Sequence, residues 1–193
     1  MSLIPNFCQW TSPLGLNCRT VGGVSPYGVF IAPWLCGPSS DGATGSFAFT
    51  FTQDSSGTIT GASGSVNPLF MQICQDNEVA SLTSVPDASN IIANGTFYSI
   101  NTCEVSLFNL SQDLINRINT LMAGRWRLII LGNDGNYYFM GLNNPVYVSA
   151  ITGGINKMLG DLNGFTITFE SKEQFGLTLM DPTFAQSIIE YAS

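Results

Sequence analysis

The chain contains no histidine, which removes both the commonest metal ligand and the commonest general base. Charge is scarce too: 10% of its 193 residues are Asp, Glu, Lys or Arg, against ~25% in a typical soluble domain. Cations are scarcest of all. Up to Cys103 the only basic residue is Arg19, while the acids there are Asp41, Asp54, Asp76, Glu78 and Asp87. With a net charge of −7 and no basic run, binding to nucleic acid through phosphate neutralisation has no support. Long apolar runs are missing as well. No stretch approaches the ~18 apolar residues that span a bilayer, and the most apolar N-terminal run, Val29 to Ala32, is cut by Pro33. The first ten residues carry no Lys or Arg ahead of an apolar core, so no secretory signal is read there. The expectation is a chain that folds in the cytoplasm where it is made, with reduced thiols. Its 5 cysteines, Cys8, Cys18, Cys36, Cys74 and Cys103, are odd in number and show no CxxC spacing. Two readings stand for them: buried free thiols acting as small hydrophobes, or one disulfide within the trio Cys8, Cys18 and Cys36.

These absences also bear on catalysis. Without histidine the usual Ser or Cys triads cannot be assembled. Asp161, Glu170 and Glu173 lie close in sequence, and glycosidases use paired carboxylates. Glu170 and Glu173 flank Lys172, however, and read as an exposed strand end of mixed charge. Gly153-Gly154 and Gly160 lack the Walker lysine and the dinucleotide-binding spacing. The glycosylation triplets Asn94-Gly95-Thr96 and Asn109-Leu110-Ser111 carry little weight without a secretion signal. The chain is therefore expected to be no enzyme and to hold no cofactor and no metal.

What the sequence does contain is strand pattern. Arg125 to Leu131 is almost continuously apolar, as in a strand covered on both faces. Asp134-Gly135 supplies a turn, and Tyr137 to Gly141 returns as the partner strand. Pro145 to Thr152 reads as another strand, followed by a glycine-rich loop over 153–164. Phe165, Ile167 and Phe169 then share one face of a strand. Upstream, Ser46 to Thr52 alternates strictly, Gln53 to Gly57 is turn chemistry, and Thr58-Ile59-Thr60 begins a partner. Val66 to Cys74 reads as a strand broken at Pro68. Gln75 to Asn94 is polar and reads as an irregular surface excursion. Phe97 to Ile100, and then Cys103, Val105 and Leu107, return to strand pattern.

One amphipathic helix is expected over 110–123, with Ser111 as N-cap, Asp113 in the first turn and Gly124 as its C′ glycine. A short second helix is expected near Pro182 to Tyr191, where Asp181-Pro182 places a cap before a proline at N1. Pro5, Pro13, Pro26, Pro33 and Pro38 punctuate the first forty residues. Prolines at that density argue against central strands. The expected organisation is an extended Pro/Gly/aromatic arm over 1–40, a β-rich domain over 41–181 and a short C-terminal helical piece over 182–193. The fold class is mainly β (α+β), an antiparallel sandwich or barrel with one flanking helix. A surface this poor in charge is expected to be covered by other subunits. The competing reading is a soluble β protein coated in Ser, Thr and Asn.

A resemblance joins these residues. Asp134-Gly135-Asn136-Tyr137-Tyr138-Phe139-Met140-Gly141, Gly153-Gly154-Ile155-Asn156-Lys157-Met158 and the run Asp161 to Glu173 (DLNGFTITFESKE) resemble structural proteins of crAss-like tailed bacteriophages that infect Bacteroidetes. Ser171 stands where their pattern has glycine. The resemblance implies a virion component, a ring in the tail or in the connector beneath the portal, of roughly six or twelve copies closed by rotation. Its implied partners are itself, the portal or adjacent tail rings, and DNA passing through the lumen without sequence-specific binding; no membrane is involved. Trp10, Tyr27, Phe30 and Trp34 of the arm, with Ile155, Met158 and Leu159 of the loop, are the expected subunit-interface residues. The alternative is a β-rich receptor- or glycan-binding fibre module, with Trp10, Trp34, Tyr137 and Tyr138 stacking on sugars.

Overall fold

The computed structural model describes residues 22–34, 36–37, 46–47, 49–64, 69–73, 80–86, 98–108, 111–154, 164–174 and 176–190. Its first half is Val24–Pro33 (β1), Cys36–Gly37 (β2), Ser46–Phe47 (β3), Phe49–Gln53 (β4), Ile59–Gly64 (β5), Phe70–Ile73 (β6), Ala80–Pro86 (β7) and Ser99–Phe108 (β8). The helix Gln112–Ala123 (α1) follows, then Trp126–Gly132 (β9), Tyr137–Met140 (β10), Tyr147–Gly154 (β11), Gly164–Glu173 (β12) and Thr178–Met180 (β13). The helix Pro182–Ile188 (α2) and the two-residue strand Ile189–Glu190 (β14) close the described chain. The expected class holds: the protein is mainly β, with a curled mixed sheet, a second antiparallel sheet and two helices.

The larger sheet has 8 strands in the order β14-β6-β1-β9-β10-β13-β5-β4, and the smaller has 4 in the order β11-β12-β8-β7. The hairpin β9–β10 lies in the interior of the larger sheet, and it explains the continuous apolar run. Leu128 and Ile130 point into one core with Cys103, Val105, Ile167 and Phe169 of the smaller sheet. Ile129 and Phe139 point the other way, into a second core with Phe30, Ile59, Phe70, Met180, Ala185 and Ile188. The larger sheet is thus covered on both faces, by the smaller sheet on one side and by α2 within its own curl on the other. Each face needs its own apolar residues, so period-2 alternation disappears. Gly135 takes φ 81° in the turn, as the Asp-Gly pair requires.

The arm expected over 1–40 is overturned at Val24–Pro33, which is a strand of the larger sheet; residues 1–21 lie outside the described residues. Residues of β1 are paired on both sides, Phe30 opposite Gln72 of β6 and opposite Ile129 of β9. The prolines did not exclude this because they stand at the strand's irregular start and its end. Pro26 falls within the register shift between Val24 and Val29, and Pro33 is the last residue. There, a missing N–H disturbs no regular ladder. A second correction concerns 75–94: its stretch 80–86 is not irregular but a full strand, β7, paired along its length with β8. Leu82 and Ala80 are half-buried against the first core. The seven uninterrupted residues between polar flanks were the overlooked signal.

Both helices stand close to where they were expected. The Ser111 hydroxyl accepts the Leu114 N–H of α1 at 3.1 Å, and Asp181 accepts the Phe184 N–H of α2 at 2.9 Å, with Pro182 in the first turn. The C-terminus of α1 differs in its physics. Gly124 has φ −87°, so no left-handed cap forms. Glycine is required instead because the Trp126 ring occupies the space of a Cβ, and that indole donates to the Leu121 carbonyl at 2.8 Å.

Candidate assembly surfaces

The smaller sheet ends in two different strands. Among the described residues no strand ladder runs along the outer edge of β7 or of β11, although Val146, just before β11, bridges to Trp126 of β9. Both are uncharged: β7 reads ASLTSVP and β11 reads YVSAITGG. Unprotected edges usually carry a lysine, a central proline or a strong twist. Pro86 stands only at the end of β7, and β11 bears a single irregularity between Val148 and Ala150. Val85 is 59% exposed on β7. The ladder between is tight at one end. A Cβ on Gly153 or Gly164 would collide with neighbouring backbone, so these glycines serve close strand approach at the mouth of the 153–164 loop.

The second surface is an apolar groove of about 600 Å³ where α1, β6 and β1 fail to close over β8 and β12. Val105, Ile167 and Phe169 form its floor, Leu114 and Leu121 one wall, and Ile31, Met71 and Ile73 the other. Met71 is 60% exposed and Phe108 43%. Large exposed apolar side chains clustered over core residues mark interaction surfaces rather than ordinary surface scatter.

The polar groups are engaged in structure. Glu173 is buried, not the exposed strand end expected, and its carboxylate accepts the backbone N–H groups of Leu142 at 2.9 Å, Asn143 at 3.2 Å and Asn144 at 3.4 Å. Burial raises its pKa against the opposing pull of these amides. Glu170 accepts the Tyr147 hydroxyl, and that hydrogen bond, with burial, pushes the Tyr147 pKa up to about 12. Asp134 accepts from Asn136 and from the Tyr138 hydroxyl at the hairpin tip. Cys103, a free thiol, is fully buried and pushed up to about 12, chiefly by desolvation and then by Glu104. Among the described residues no group of three or more Cys, Asp or Glu is placed to hold a metal. No described helix is long and apolar enough to cross a membrane. Asp161 lies outside the described residues.

The expected interface residues separate into three groups. Trp10, Ile155, Met158 and Leu159 lie outside the described residues. Phe30 is fully buried in the second core, so it is no surface anchor. Trp34 stacks on the buried Arg127 guanidinium at 4.3 Å and its N–H donates to the Arg125 carbonyl, which commits it to its own sheet. Of the described three, Tyr27 stands out into solvent, 49% exposed at φ 55°. A bulky residue in the left-handed region is strained, and the irregularity of β1 holds it there. The expected sugar platform is also dispersed. Tyr137 is 4% exposed, and the Tyr138 hydroxyl is tied to Asp134. Sequence reasoning missed the groove entirely, because its lining comes from six elements far apart in the chain, β1, β6, β8, α1, β9 and β12. No family model, curated protein or solved structure matches the chain.

Proposed function

We propose that the chain is a structural subunit of a bacteriophage virion, a ring-forming component of the tail or portal-proximal connector that helps build the conduit for DNA. The observation that carries this reading is the smaller sheet, which presents two unlike, uncharged edges at opposite sides, β7 and β11, along which no ladder runs among the described residues. Joining β7 of one copy to β11 of the next is a head-to-tail contact, and such contacts close into rings when the rotation allows. Backbone hydrogen bonds across that joint would satisfy both free edges. The undercharged composition and the resemblance to phage structural proteins support the same reading. A net charge of −7 suits a wall past which DNA slides without adhering. The protein's place in this reading is the virion, and no catalytic step is assigned to it.

Negative-stain microscopy and native mass spectrometry of the purified chain, alone and with the portal protein, test the proposal. Rings are expected. Thr83→Lys with Val85→Lys, which puts charge along the β7 edge, should leave a folded monomer. A chain that stays monomeric in both settings, or rings that survive the charged edge, would overturn the edge-joined assembly.

A further inference from the structure

We infer that the face of the smaller sheet turned away from the larger one lines the bore of the ring, and that duplex DNA in transit is what it meets. The inference rests on the assembly reading above and names the surface which that reading leaves unplaced. Two observations carry it. The first is the unequal width of the two layers. With β7 of one copy joined to β11 of the next, the smaller sheets run on as one closed wall. Each copy contributes 4 strands to it, an arc of about 19 Å at the usual strand spacing. The larger sheet, of 8 strands, packs on one side of that wall, against Cys103, Val105, Ile167 and Phe169. Packed sheets lie about 10 Å apart, so a layer inside the wall has less than about 19 Å of arc per copy, whatever the copy number, and a layer outside has more. Eight strands do not fit the narrower arc, even doubled over by their curl, because α2 occupies that curl. The larger sheet therefore lies outside, and the other face of the smaller sheet looks inward.

The second observation is what that face carries. Alternation along β8 and β12 brings Thr102, Glu104 and Ser106 to it, with Thr166, Thr168 and Glu170. The ladder sets them side by side, Thr166 opposite Ser106, Thr168 opposite Glu104 and Glu170 opposite Thr102. All six are exposed or half-buried. The hydroxyls of Ser106 and Thr166 lie 2.9 Å apart, and Glu170 is occupied by the Tyr147 hydroxyl. Lys172 is the one cation in the four strands. Rows of cations are what hold phosphates, and a surface of hydroxyls with two carboxylates offers no such row. Six copies would set about 24 strands round the bore, a backbone diameter of about 37 Å before strand tilt widens it. That leaves room for a duplex between the side chains.

Threading tests this. Glu104→Lys, at an exposed position, places a collar of lysines in the bore. Glu190→Lys, exposed on β14 at the far edge of the larger sheet, makes the same charge change outside it. Rings are scored on the grid, then mixed with linear duplex DNA or with the same DNA as a covalently closed circle, which cannot thread. Glu104→Lys rings are expected to retain the linear form and not the circle. They should lose about a thousandfold in affinity between about 50 and about 200 mM salt, as roughly six phosphate contacts are released. Glu190→Lys rings are expected to treat the two forms alike. Ser106→Lys, on the same face, is read in the same way should Glu104→Lys fail to assemble. Collared rings that retain both forms or neither overturn the inference, as does a preference for linear DNA in Glu190→Lys rings. Failure of both collars to form rings where the unchanged chain does overturns it too, since an inward hydroxyl face has room for lysine. Each of these outcomes leaves the ring reading standing. An unchanged chain that shows no rings overturns the ring reading itself, and this inference with it.

Discussion

Glu173 acts as an internal peg: one carboxylate holds three successive amides of the 142–144 turn. A carboxyl that keeps its proton more tightly folded than unfolded contributes stability below its unfolded pKa, about 4.3. That contribution is lost as pH rises through the raised folded value. Glu173→Gln keeps an oxygen for the amides and is expected to flatten this limb of the stability curve, read from urea midpoints between about pH 4 and about pH 7. Ser171 poses the opposite case. It faces Asn101 across the β12–β8 ladder, both are fully buried, and neither the Ser171 hydroxyl nor the Asn101 side-chain NH₂ finds a partner. A buried hydroxyl left unsatisfied costs about 1–3 kcal/mol. Ser171→Ala is therefore expected to raise stability by about 1 kcal/mol, and a fall in the urea midpoint would show that the hydroxyl is satisfied after all. Nothing in the contacts of Ser171 explains a serine at this position.

At the scale of elements, α1 depends on its two ends. Ser111→Ala removes the oxygen that caps Leu114 and should cost about 1 kcal/mol. Gly124→Ala should cost more than that, although ordinary propensity favours alanine over glycine, because its Cβ would enter the Trp126 ring and dislodge the indole from the Leu121 carbonyl. Thermal midpoints of the two variants decide the order. The sequence disclosed these elements unevenly, for physical reasons. Capping, turn chemistry and local period were legible, so α1, α2 and the β9–β10 hairpin stood nearly where they were expected. The arm reading failed because proline content describes a segment and not the register position each proline occupies. The reading of 75–94 failed because polar flanks concealed β7, an edge strand that buries only one side.

The molecule as a whole is two cores built on the two faces of one sheet. Ile130 faces the first and Ile129 the second, and both are fully buried. Ile129→Ala and Ile130→Ala empty different cores, each at a cost of about 2–5 kcal/mol. Because β9 supports both, each variant should lower one shared calorimetric transition. Two separated transitions would show that the cores melt independently. This arrangement was not legible from local pattern. An uninterrupted apolar strand reports that both faces are covered, but what covers them is fixed by pairings between distant segments. The candidate surfaces escaped for the same reason, with Tyr27 the one expected anchor exposed among the described residues. The sheet edges and the groove exist only once the strand order is known.

The position of β1 has a mechanical consequence. It is held between β6 and β9 by ladders running across its axis, and its leading end is tied at Gly22 and Gly23 to the hairpin tip. A pull on the N-terminus therefore loads many of these transverse bonds in shear together instead of peeling them one after another.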